Sequence, residues 1–216
     1  MVIFLNRILF IIGAYLAGGI PFGYLAGKIL KGIDIREHGS KNVGATNVFR
    51  VIGKGPGITV YLLDALKGLL PVLLSKYLWP AATPQQEWFH IAAGLAAILG
   101  HVFTPYLRFK GGKGVATASG AMLGLAPLPL LAALLAFALV FGVTRYVSLG
   151  SICASIVFPI AVAVQRILLD RSPLAPMLAV GWLLVLMIIV THKANIGRLL
   201  QGKENRISFK KEKTER

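Results

Sequence analysis

The residues best suited to chemistry in this sequence lie in three short polar segments. Polar segment 1 is Gly39–Arg50, polar segment 2 is Gly100–Thr117 and polar segment 3 is Thr191–Glu204. Each combines glycine with lysine or arginine and with neutral donors such as Asn, Ser or Thr, and carboxylates are almost absent from them. Glycine lets backbone N–H groups approach phosphate oxygens, and the cationic side chains supply the opposite charge. We therefore expect the three segments to bind phosphate groups.

Polar segment 2 contains a glycine turn that leads directly into an expected helix. Lys110–Lys113 reads Lys-Gly-Gly-Lys, and a helix start adds unpaired N–H groups and about half a positive charge. The turn is not a nucleotide-binding P-loop. That motif needs glycine where Leu107 stands, Ser or Thr where Gly114 stands, and a preceding strand. The pattern favours phosphate binding and argues against nucleotide hydrolysis.

The composition indicates that these segments belong to a membrane protein. Of the 216 residues, 56% are hydrophobic and only 14% are charged, with a net charge of +15 and a mean hydropathy of +0.74. Soluble domains carry about 25% charged residues, so an ordinary soluble enzyme is excluded. The basic charge would suit a nucleic-acid binder, but charge-free stretches of about 20 residues do not.

The apolar segments are close to the length of about 20 residues that a membrane span requires. They are Ile8–Gly27, Ile58–Trp79, Trp88–Tyr106, Leu149–Leu169 and Leu174–Val190. The region Val115–Val143 is also free of charge, and it fits one long helix or two short ones. Pro127 and Pro129 place a turn or kink near its middle.

The distribution of lysine and arginine decides between these alternatives. Seven spans put 18 basic residues on one side of the membrane and four on the other, with Lys67 inside a span. Six spans would put the eight basic residues of the tail opposite the other basic loops.

We therefore predict an all-α integral membrane protein with seven transmembrane helices, an external N-terminus and a cytoplasmic C-terminus. The fourth helix, about Gly112–Leu125, is short and rich in Gly and Ala, so protein must surround it. A re-entrant segment satisfies the same charge count. Residues 1–205 form one domain, residues 206–216 form a basic cytoplasmic tail, and all three polar segments face the cytoplasm.

Few ionisable residues lie inside the expected spans. Asp64 and Lys67 are three residues apart and share one helix face, which fits either a functional pair or an internal salt bridge. His101 adjoins polar segment 2, and His192 opens polar segment 3. We expect no metal site, because no His/carboxylate cluster has ligand spacing and Cys153 is the single cysteine.

The three polar segments resemble the three motifs of the bacterial acyl-phosphate:glycerol-3-phosphate acyltransferases. The resemblance is carried by Gly39–Asn47, by Phe109–Thr117 and by the pattern His-x-x-Asn-Ile-x-Arg-Leu-x-x-Gly-x-Glu over His192–Glu204. It extends over the whole chain in length, span number and motif order. It implies transfer of an acyl chain from a membrane-borne acyl phosphate to the 1-hydroxyl of glycerol 3-phosphate. The implied products are lysophosphatidic acid and phosphate, at the first step of phospholipid synthesis.

The resemblance also implies site residues and partners. In catalysis we expect Ser40, Asn42, His192 and Asn195. For substrate binding the resemblance implies Thr46, Asn47, Arg50, Lys110, Gly111, Gly112, Lys113, Ser148, Arg198 and Glu204, to which position alone adds Lys67 and His101. The expected partners are the two substrates and the lipids of the bacterial cytoplasmic membrane, without cofactor, metal or nucleic acid. Lys41 departs from the family pattern, where glycine is more common, and this affects the conformation of its turn.

The chemistry makes a substrate-assisted mechanism the favoured one. An acyl phosphate already has a good leaving group, so the protein must mainly hold two anions and stabilise the developing oxyanion. His192 is the candidate base, but neighbouring cations would lower its pKa. We favour it as a hydrogen-bonding ligand, with the proton passing to the phosphate of the donor, whose second pKa is about 6 by analogy with phosphoserine. No covalent acyl-enzyme is expected. The alternatives are a transporter or channel for phosphorylated metabolites and a non-catalytic subunit that binds anionic lipid.

Overall fold

The computed structural model describes residues 2–80, 84–169 and 175–207, and within them the chain is helical. The basic residues Lys210, Lys211, Lys213 and Arg216 of the expected tail lie outside the described residues, as does Leu174, the expected start of the last span. The helices are α1 (Val2–Gly19), α2 (Phe22–Lys31), α3 (Ala45–Val51), α4 (Lys54–Leu78), α5 (Pro84–Val102), α6 (Val115–Leu125), α7 (Pro127–Thr144), α8 (Val147–Leu169), α9 (Ala175–Thr191) and α10 (Lys193–Leu200). Short 3₁₀ turns cover Ile35–Glu37 and Pro105–Leu107.

The membrane-crossing part of the chain is a bundle of long apolar helices. Five segments of the described chain are long and apolar enough to span a bilayer, and a sixth counts if α9 and α10, which meet at a bend of 64°, form one span. The five are Phe4–Lys31, Lys54–Leu78, Gln86–Leu107, Pro127–Thr144 and Val147–Leu168. Helix α6 is a shorter apolar helix.

The ambiguous region after the second polar segment forms two helices. Helix α6 ends at Leu125 and α7 begins at Pro127, so the chain breaks at Ala126, next to the prolines that predicted a turn there. A proline at the first position of a helix has no N–H to leave unsatisfied. Of the two alternatives, the structure contains two helices, and only α6 is short, because α7 has 18 residues.

Helix α6 packs mostly against protein, as its small residues predicted, although Leu123 is 49% exposed. A Cβ atom added at Gly68 would lie 2.0 Å from the carbonyl oxygen of Thr117, and one at Gly120 would lie 1.8 Å from that of Ala65. The glycines therefore let the backbones of α4 and α6 touch. At the far end of α6, Lys76 Nζ donates to the carbonyl oxygen of Gly124 at 2.6 Å and so caps the helix.

The first span differs from expectation because it is interrupted. Helix α1 ends at Gly19 and α2 begins at Phe22, with Pro21 between them. The interruption leaves two carbonyl groups without helical partners. Thr104 Oγ1 donates to the Gly19 oxygen at 2.6 Å, and Lys67 Nζ donates to the Ile20 oxygen at 2.7 Å.

The chain after α10 returns to the bundle. The backbone N–H of Ile207 donates to the carbonyl oxygen of Arg145 at 3.0 Å, and the Ile207 side chain is buried. Arg206 Nε donates to the Tyr146 hydroxyl at 3.0 Å. The first residues of the expected tail are thus packed against the turn between α7 and α8.

Candidate active site

The three polar segments meet around one cavity of about 380 Å³. The cavity lies where α6 and α8 begin and where α9 ends. Ser40 and Asn42 come from polar segment 1, Lys113 from polar segment 2, and His192 and Asn195 from polar segment 3. Its volume falls within the range of about 300–1,000 Å³ typical of small-molecule sites. Three segments that are far apart in sequence thus border one cavity.

Glu204 organises the polar end of the cavity. One of its carboxylate oxygens accepts from Asn195 Nδ2 at 2.7 Å and from Ser148 Oγ at 3.0 Å. The other accepts from Arg198 Nε at 2.7 Å. Burial would raise the pKa of Glu204, but the three hydrogen bonds lower it below its ordinary value. The carboxylate therefore stays ionised and fixes the side chains around it.

Lys113 extends this cluster into the cavity. Its ammonium group donates to Asn195 Oδ1, whose amide nitrogen is the one held by Glu204. Burial lowers the pKa of Lys113 to about 8, against the opposing effect of Glu204, and the charges of Arg198 and Arg50 lower it further. Lys113 is thus a cation at neutral pH that a bound anion would stabilise.

His192 lies just past the end of α9, and one of its two ring nitrogens is held by a hydrogen bond. Its Nδ1 is 2.9 Å from the carbonyl oxygen of Ile188. A carbonyl only accepts, so the proton is assigned to Nδ1 and Nε2 is left as an acceptor. Burial and the neighbouring Lys113 lower the pKa of His192 to about 4. The ring is neutral at physiological pH and can accept a hydrogen bond, but it would hold a proton only weakly.

Polar segment 1 is shaped by a buried asparagine. Asn47 Nδ2 lies 2.9–3.0 Å from three carbonyl oxygens, those of Ile35, His38 and Asn42. Its Oδ1 accepts from the backbone N–H of Ser40 at 2.8 Å. Asn47 is 1% exposed, and its amide is fully occupied by the loop. Although Asn47 borders the cavity, its geometry makes it the residue that positions Ser40 and Asn42.

The departure at Lys41 has a structural explanation. Lys41 has a φ of +58°, in the left-handed region that glycine adopts without cost and other residues rarely do. The chain tolerates lysine there because the side chain is exposed. Nearby Gly39 has a φ of +59°, and a Cβ atom on it would lie 2.4 Å from Asn47 Oδ1.

The glycines of the Lys-Gly-Gly-Lys turn act differently from the prediction. The backbone N–H of Gly111 donates to the Val102 oxygen at 3.0 Å, and that of Gly112 donates to the His101 oxygen at 3.1 Å. The prediction that these N–H groups turn toward phosphate oxygens is therefore wrong. The reason is that the last turn of α5 has free carbonyl groups that need donors.

Close packing explains why both positions are glycine. An added Cβ would lie 2.0 Å from the His101 oxygen at Gly111 and 2.1 Å from His101 Nε2 at Gly112. The two glycines and the exposed Lys110 do not border the cavity. Only Lys113 carries the turn's charge into it.

Helix starts supply further positive potential to the cavity. Val115 and Ala116 in the first turn of α6, Thr46 in the first turn of α3, and Val147 and Ser148 at the start of α8 all border it. The first N–H groups of a helix lack helical partners and carry partial positive charge, so they favour an anion. The helix start expected after the Lys-Gly-Gly-Lys turn is present, as α6.

The remaining predicted cations separate into two groups. Arg50 borders the cavity, donates to the carbonyl oxygen of Asn205 at 3.1 Å, and has a pKa lowered by burial. Arg198 contributes through Glu204 and does not border the cavity. Lys67 is also outside it, because its ammonium binds Asp64 Oδ1 at 2.6 Å and the Ile20 oxygen. The internal salt bridge, one of the two alternatives for this pair, is what the structure contains.

Some residues of the cavity were absent from the sequence-based set. Asp64 borders the cavity beside His101, which was predicted to lie there. The Oδ1 atom of Asp64 is 3.6 Å from His101 Nδ1. Tyr61 borders the cavity as well. A single tyrosine in an apolar span gives no signal in sequence, whereas the charge of Asp64 was visible but ambiguous.

The opposite wall of the cavity is apolar. It is formed by side chains of α4, α7 and α8, namely Ile58, Leu134, Phe137, Phe141 and Ala154. The cavity therefore joins a cationic end to an apolar wall, as a ligand with an anionic head and a hydrocarbon chain requires. Within the described residues, no group of three or more His, Cys, Asp or Glu side chains could hold a metal ion.

Comparison with known proteins agrees with this chemistry. The profile of the family described as glycerol-3-phosphate acyltransferase matches residues 8–202. The glycerol-3-phosphate acyltransferase of Trichlorobacter lovleyi is 49% identical over 197 residues, which cover 91% of this chain and 95% of that protein. That of Geobacter sulfurreducens is 48% identical, covering 94% and 98%. The chain belongs to the glycerol-3-phosphate acyltransferase family.

A solved structure extends the agreement to the fold. This glycerol-3-phosphate acyltransferase is similar to PlsY (YgiH), an integral membrane protein crystallised in a glycerol 3-phosphate form, with a TM-score of 0.82 and 39% identity over 94% of this chain and 96% of that one. The lysophosphatidic acid form of PlsY gives a TM-score of 0.80 and 38% identity, with the same coverage. The protein is thus an integral membrane acyltransferase of phospholipid synthesis.

Proposed function

We propose that this acyltransferase moves an acyl chain from an acyl phosphate to the 1-hydroxyl of glycerol 3-phosphate. The products are lysophosphatidic acid and inorganic phosphate. The observation that carries the proposal is the cavity itself, in which Lys113, Asn195 and Glu204 lie at one end and apolar side chains of α4, α7 and α8 form the other wall. The glycerol 3-phosphate and lysophosphatidic acid forms of PlsY are consistent with the acceptor and the product.

The site offers both cationic groups and neutral hydrogen-bond donors to the phosphate groups of the two substrates. Lys113, Arg50 and the helix starts offset the repulsion between two anionic substrates. Ser40 and Asn42, held by Asn47, offer neutral donors beside them. A phosphate leaving group needs no general acid. This matches a site whose two bordering carboxylates are engaged, Glu204 in three hydrogen bonds and Asp64 in the ion pair with Lys67.

The reaction is a direct displacement at the acyl carbon. The 1-hydroxyl oxygen of glycerol 3-phosphate forms the new ester bond as the bond between the acyl carbon and the bridging phosphate oxygen breaks. His192 Nε2 accepts a hydrogen bond from the attacking hydroxyl, and the proton goes to a non-bridging oxygen of the departing phosphate, whose second pKa we take as about 6 by analogy with phosphoserine. The low pKa of His192 supports this division, since a ring that protonates only near pH 4 is a poor store for the proton.

The same proposal includes the topology. Seven crossings by α1–α2, α4, α5, α6, α7, α8 and α9 put the N-terminus outside, and they put the cavity and C-terminus on the cytoplasmic side of the bacterial inner membrane. The distribution of 18 basic residues against four supports it. In a Cys153→Ser background, a cysteine at Lys203 should react with a membrane-impermeant maleimide only after the cells are opened. Labelling in intact cells would reverse the orientation.

The catalytic test uses purified protein in lipid with glycerol 3-phosphate and palmitoyl phosphate. We expect lysophosphatidic acid and phosphate in equal amounts. Absence of product with every acyl donor would overturn the enzyme proposal, whereas product only with palmitoyl-CoA would overturn the choice of donor. Uptake of glycerol 3-phosphate into vesicles without product would indicate a transporter instead.

A further inference from the structure

A second, smaller cavity of about 70 Å³ adjoins the candidate active site. The two cavities share lining residues from three helices, which are Val115 and Ser119 of α6, Leu134 of α7, and Ser151 and Ala154 of α8. The small cavity therefore lies directly beside the large one, on the side away from the polar end.

The order of residues along the helices gives the direction of this extension. On α8, Ser148 lies at the polar end, Ala154 borders both cavities, and Phe158 borders only the small one. Ten residues of helix separate Ser148 from Phe158, about 15 Å at a rise of 1.5 Å per residue. That distance is about half of the 30 Å hydrocarbon core of a bilayer.

The small cavity is apolar although three serines border it. Ser119 Oγ donates to the Val115 oxygen, Ser151 Oγ to the Val147 oxygen, and Ser155 Oγ to the Ile152 oxygen. Each hydroxyl is thus turned back to its own helix, and methyl and methylene groups face the space. A water molecule would find few hydrogen-bond partners in this space, whereas a hydrocarbon chain needs none.

The deep end of the small cavity is closed by buried side chains. Met122, Leu130 and Phe158 are 2%, 6% and 4% exposed. On α8 the next turn beyond Phe158 brings Val162, which is buried in the same core but borders neither cavity. Phe158 is the largest of the side chains that close the space.

We propose that the small cavity binds the methyl end of the donor's acyl chain, and that Phe158 sets the chain length that fits. The proposal rests on the proposed acyl transfer. A chain whose head lies at Lys113 and whose methyl end reaches Phe158 is enclosed by α6, α7, α8 and α9. A longer chain does not fit, because its last methylene groups would clash with the phenyl ring of Phe158.

The test compares chain-length profiles in three variants. Phe158→Ala deepens the small cavity, Ala154→Leu fills it nearer the polar end, and Val162→Ala removes a similar buried contact without changing the lining. Protein in lipid is assayed for kcat/KM with saturated acyl phosphates from decanoyl to stearoyl. We expect Phe158→Ala to raise the ratio of long-chain to short-chain kcat/KM by about tenfold and Ala154→Leu to lower it similarly. Val162→Ala should keep the wild-type profile.

The outcomes are separable from those of the proposed function. If wild-type protein is active and both lining variants keep its profile, or lower every donor equally, the small cavity does not hold the chain end. If Phe158→Ala fails to fold, Ala154→Leu carries the test alone. If the wild type forms no product with any acyl phosphate, the proposed function itself has failed.

Discussion

We assign opposite roles to two lysines, each linked to a carboxylate: buried Lys67 directly to Asp64, and half-buried Lys113 through Asn195 to Glu204. Lys67 is 6% exposed, and its ammonium binds Asp64 Oδ1 and the Ile20 oxygen at the break between α1 and α2. Lys113 donates to Asn195, which connects it to Glu204, and it borders the cavity. The role of a cation inside the bundle therefore depends on which groups its remaining N–H donors can reach. Lys67 holds the scaffold, whereas Lys113 can bind a ligand.

The two carboxylates differ in the same way. Asp64 joins α4 to the interrupted first span through Lys67 and approaches His101 at the edge of the cavity. Glu204 brings together side chains from α8 and α10 and, through Asn195, Lys113 of the Lys-Gly-Gly-Lys turn. We call these the Asp64–Lys67 pair and the Glu204 cluster. If the comparison holds, changes in the cluster should affect turnover and changes in the pair should affect stability.

The largest loss of activity is expected for Glu204→Gln. The amide keeps one acceptor oxygen but places an NH₂ group against donors from Ser148, Asn195 or Arg198, so the cluster cannot remain satisfied. We expect kcat/KM to fall by about 10²- to 10³-fold, the range seen when a catalytic donor is lost. The assay is phosphate release from palmitoyl phosphate with glycerol 3-phosphate. The matched control, Glu37→Gln, changes an exposed carboxylate and should have no effect, and a similar loss in both would contradict the role of the cluster.

The next effect concerns His101, which lies between the Asp64–Lys67 pair and the Lys-Gly-Gly-Lys turn. Gly112→Ala puts a methyl group 2.1 Å from His101 Nε2 and should displace Lys113, which can cost about 10²-fold in kcat/KM. Adding His101→Ala removes the obstacle, so the double variant should recover about tenfold.

Gly111→Ala provides the matched control for this rescue. Its added methyl group would meet the backbone oxygen of His101, which His101→Ala does not remove. Recovery of Gly111→Ala to the same extent, or no recovery of Gly112→Ala, would show that the glycines do not serve this packing.

A smaller effect is expected from pH. Lys113, with a pKa of about 8, is charged below that pH and neutral above it. The kcat/KM for glycerol 3-phosphate should therefore decline as pH rises through about 8, because the free enzyme loses the cation that binds phosphate. Lys113→Arg keeps a charge throughout and should remove this decline while lowering activity overall. An unchanged decline in Lys113→Arg would assign the titration to another group.

The smallest effect on turnover is expected at the Asp64–Lys67 pair. Lys67→Met leaves Asp64 buried without its cation and should lower stability by about 3–5 kcal/mol. The double variant Asp64→Asn/Lys67→Met removes both charges and should recover most of that loss. Thermal unfolding in detergent measures the stability, and activity per folded molecule should change less than about threefold. A large loss of activity with unchanged unfolding would place Lys67 in the site.

The sequence was enough to predict which segments carry phosphate-binding residue types, but not which groups each of their residues contacts. Glycine, lysine and asparagine recurring in three segments were enough to expect phosphate binding, and the short helix α6 followed from Gly and Ala together with Pro127. The partners of Lys67 could not be predicted, because the Ile20 carbonyl becomes available only through the break at Pro21.

The contacts of the glycine turn and the residues of the apolar wall also could not be predicted, because both depend on tertiary packing. Gly111 and Gly112 look identical in sequence to glycines that cradle phosphate, and only the approach of α5 reveals that their N–H groups are already used. Phe137, Phe141 and Ala154 are ordinary residues of apolar helices, and their position around the cavity depends on tertiary packing.

The most direct test of the comparison is equilibrium binding of glycerol 3-phosphate to two matched variants, Lys113→Met and Lys67→Met, in lipid nanodiscs. Isothermal titration on folded protein gives the Kd of each. We expect Lys113→Met to weaken binding by about tenfold to a hundredfold, as for loss of a hydrogen bond to a charged group. Lys67→Met should stay within about twofold of the wild type. Weakened binding in Lys67→Met with wild-type binding in Lys113→Met would reverse the roles assigned to the two lysines.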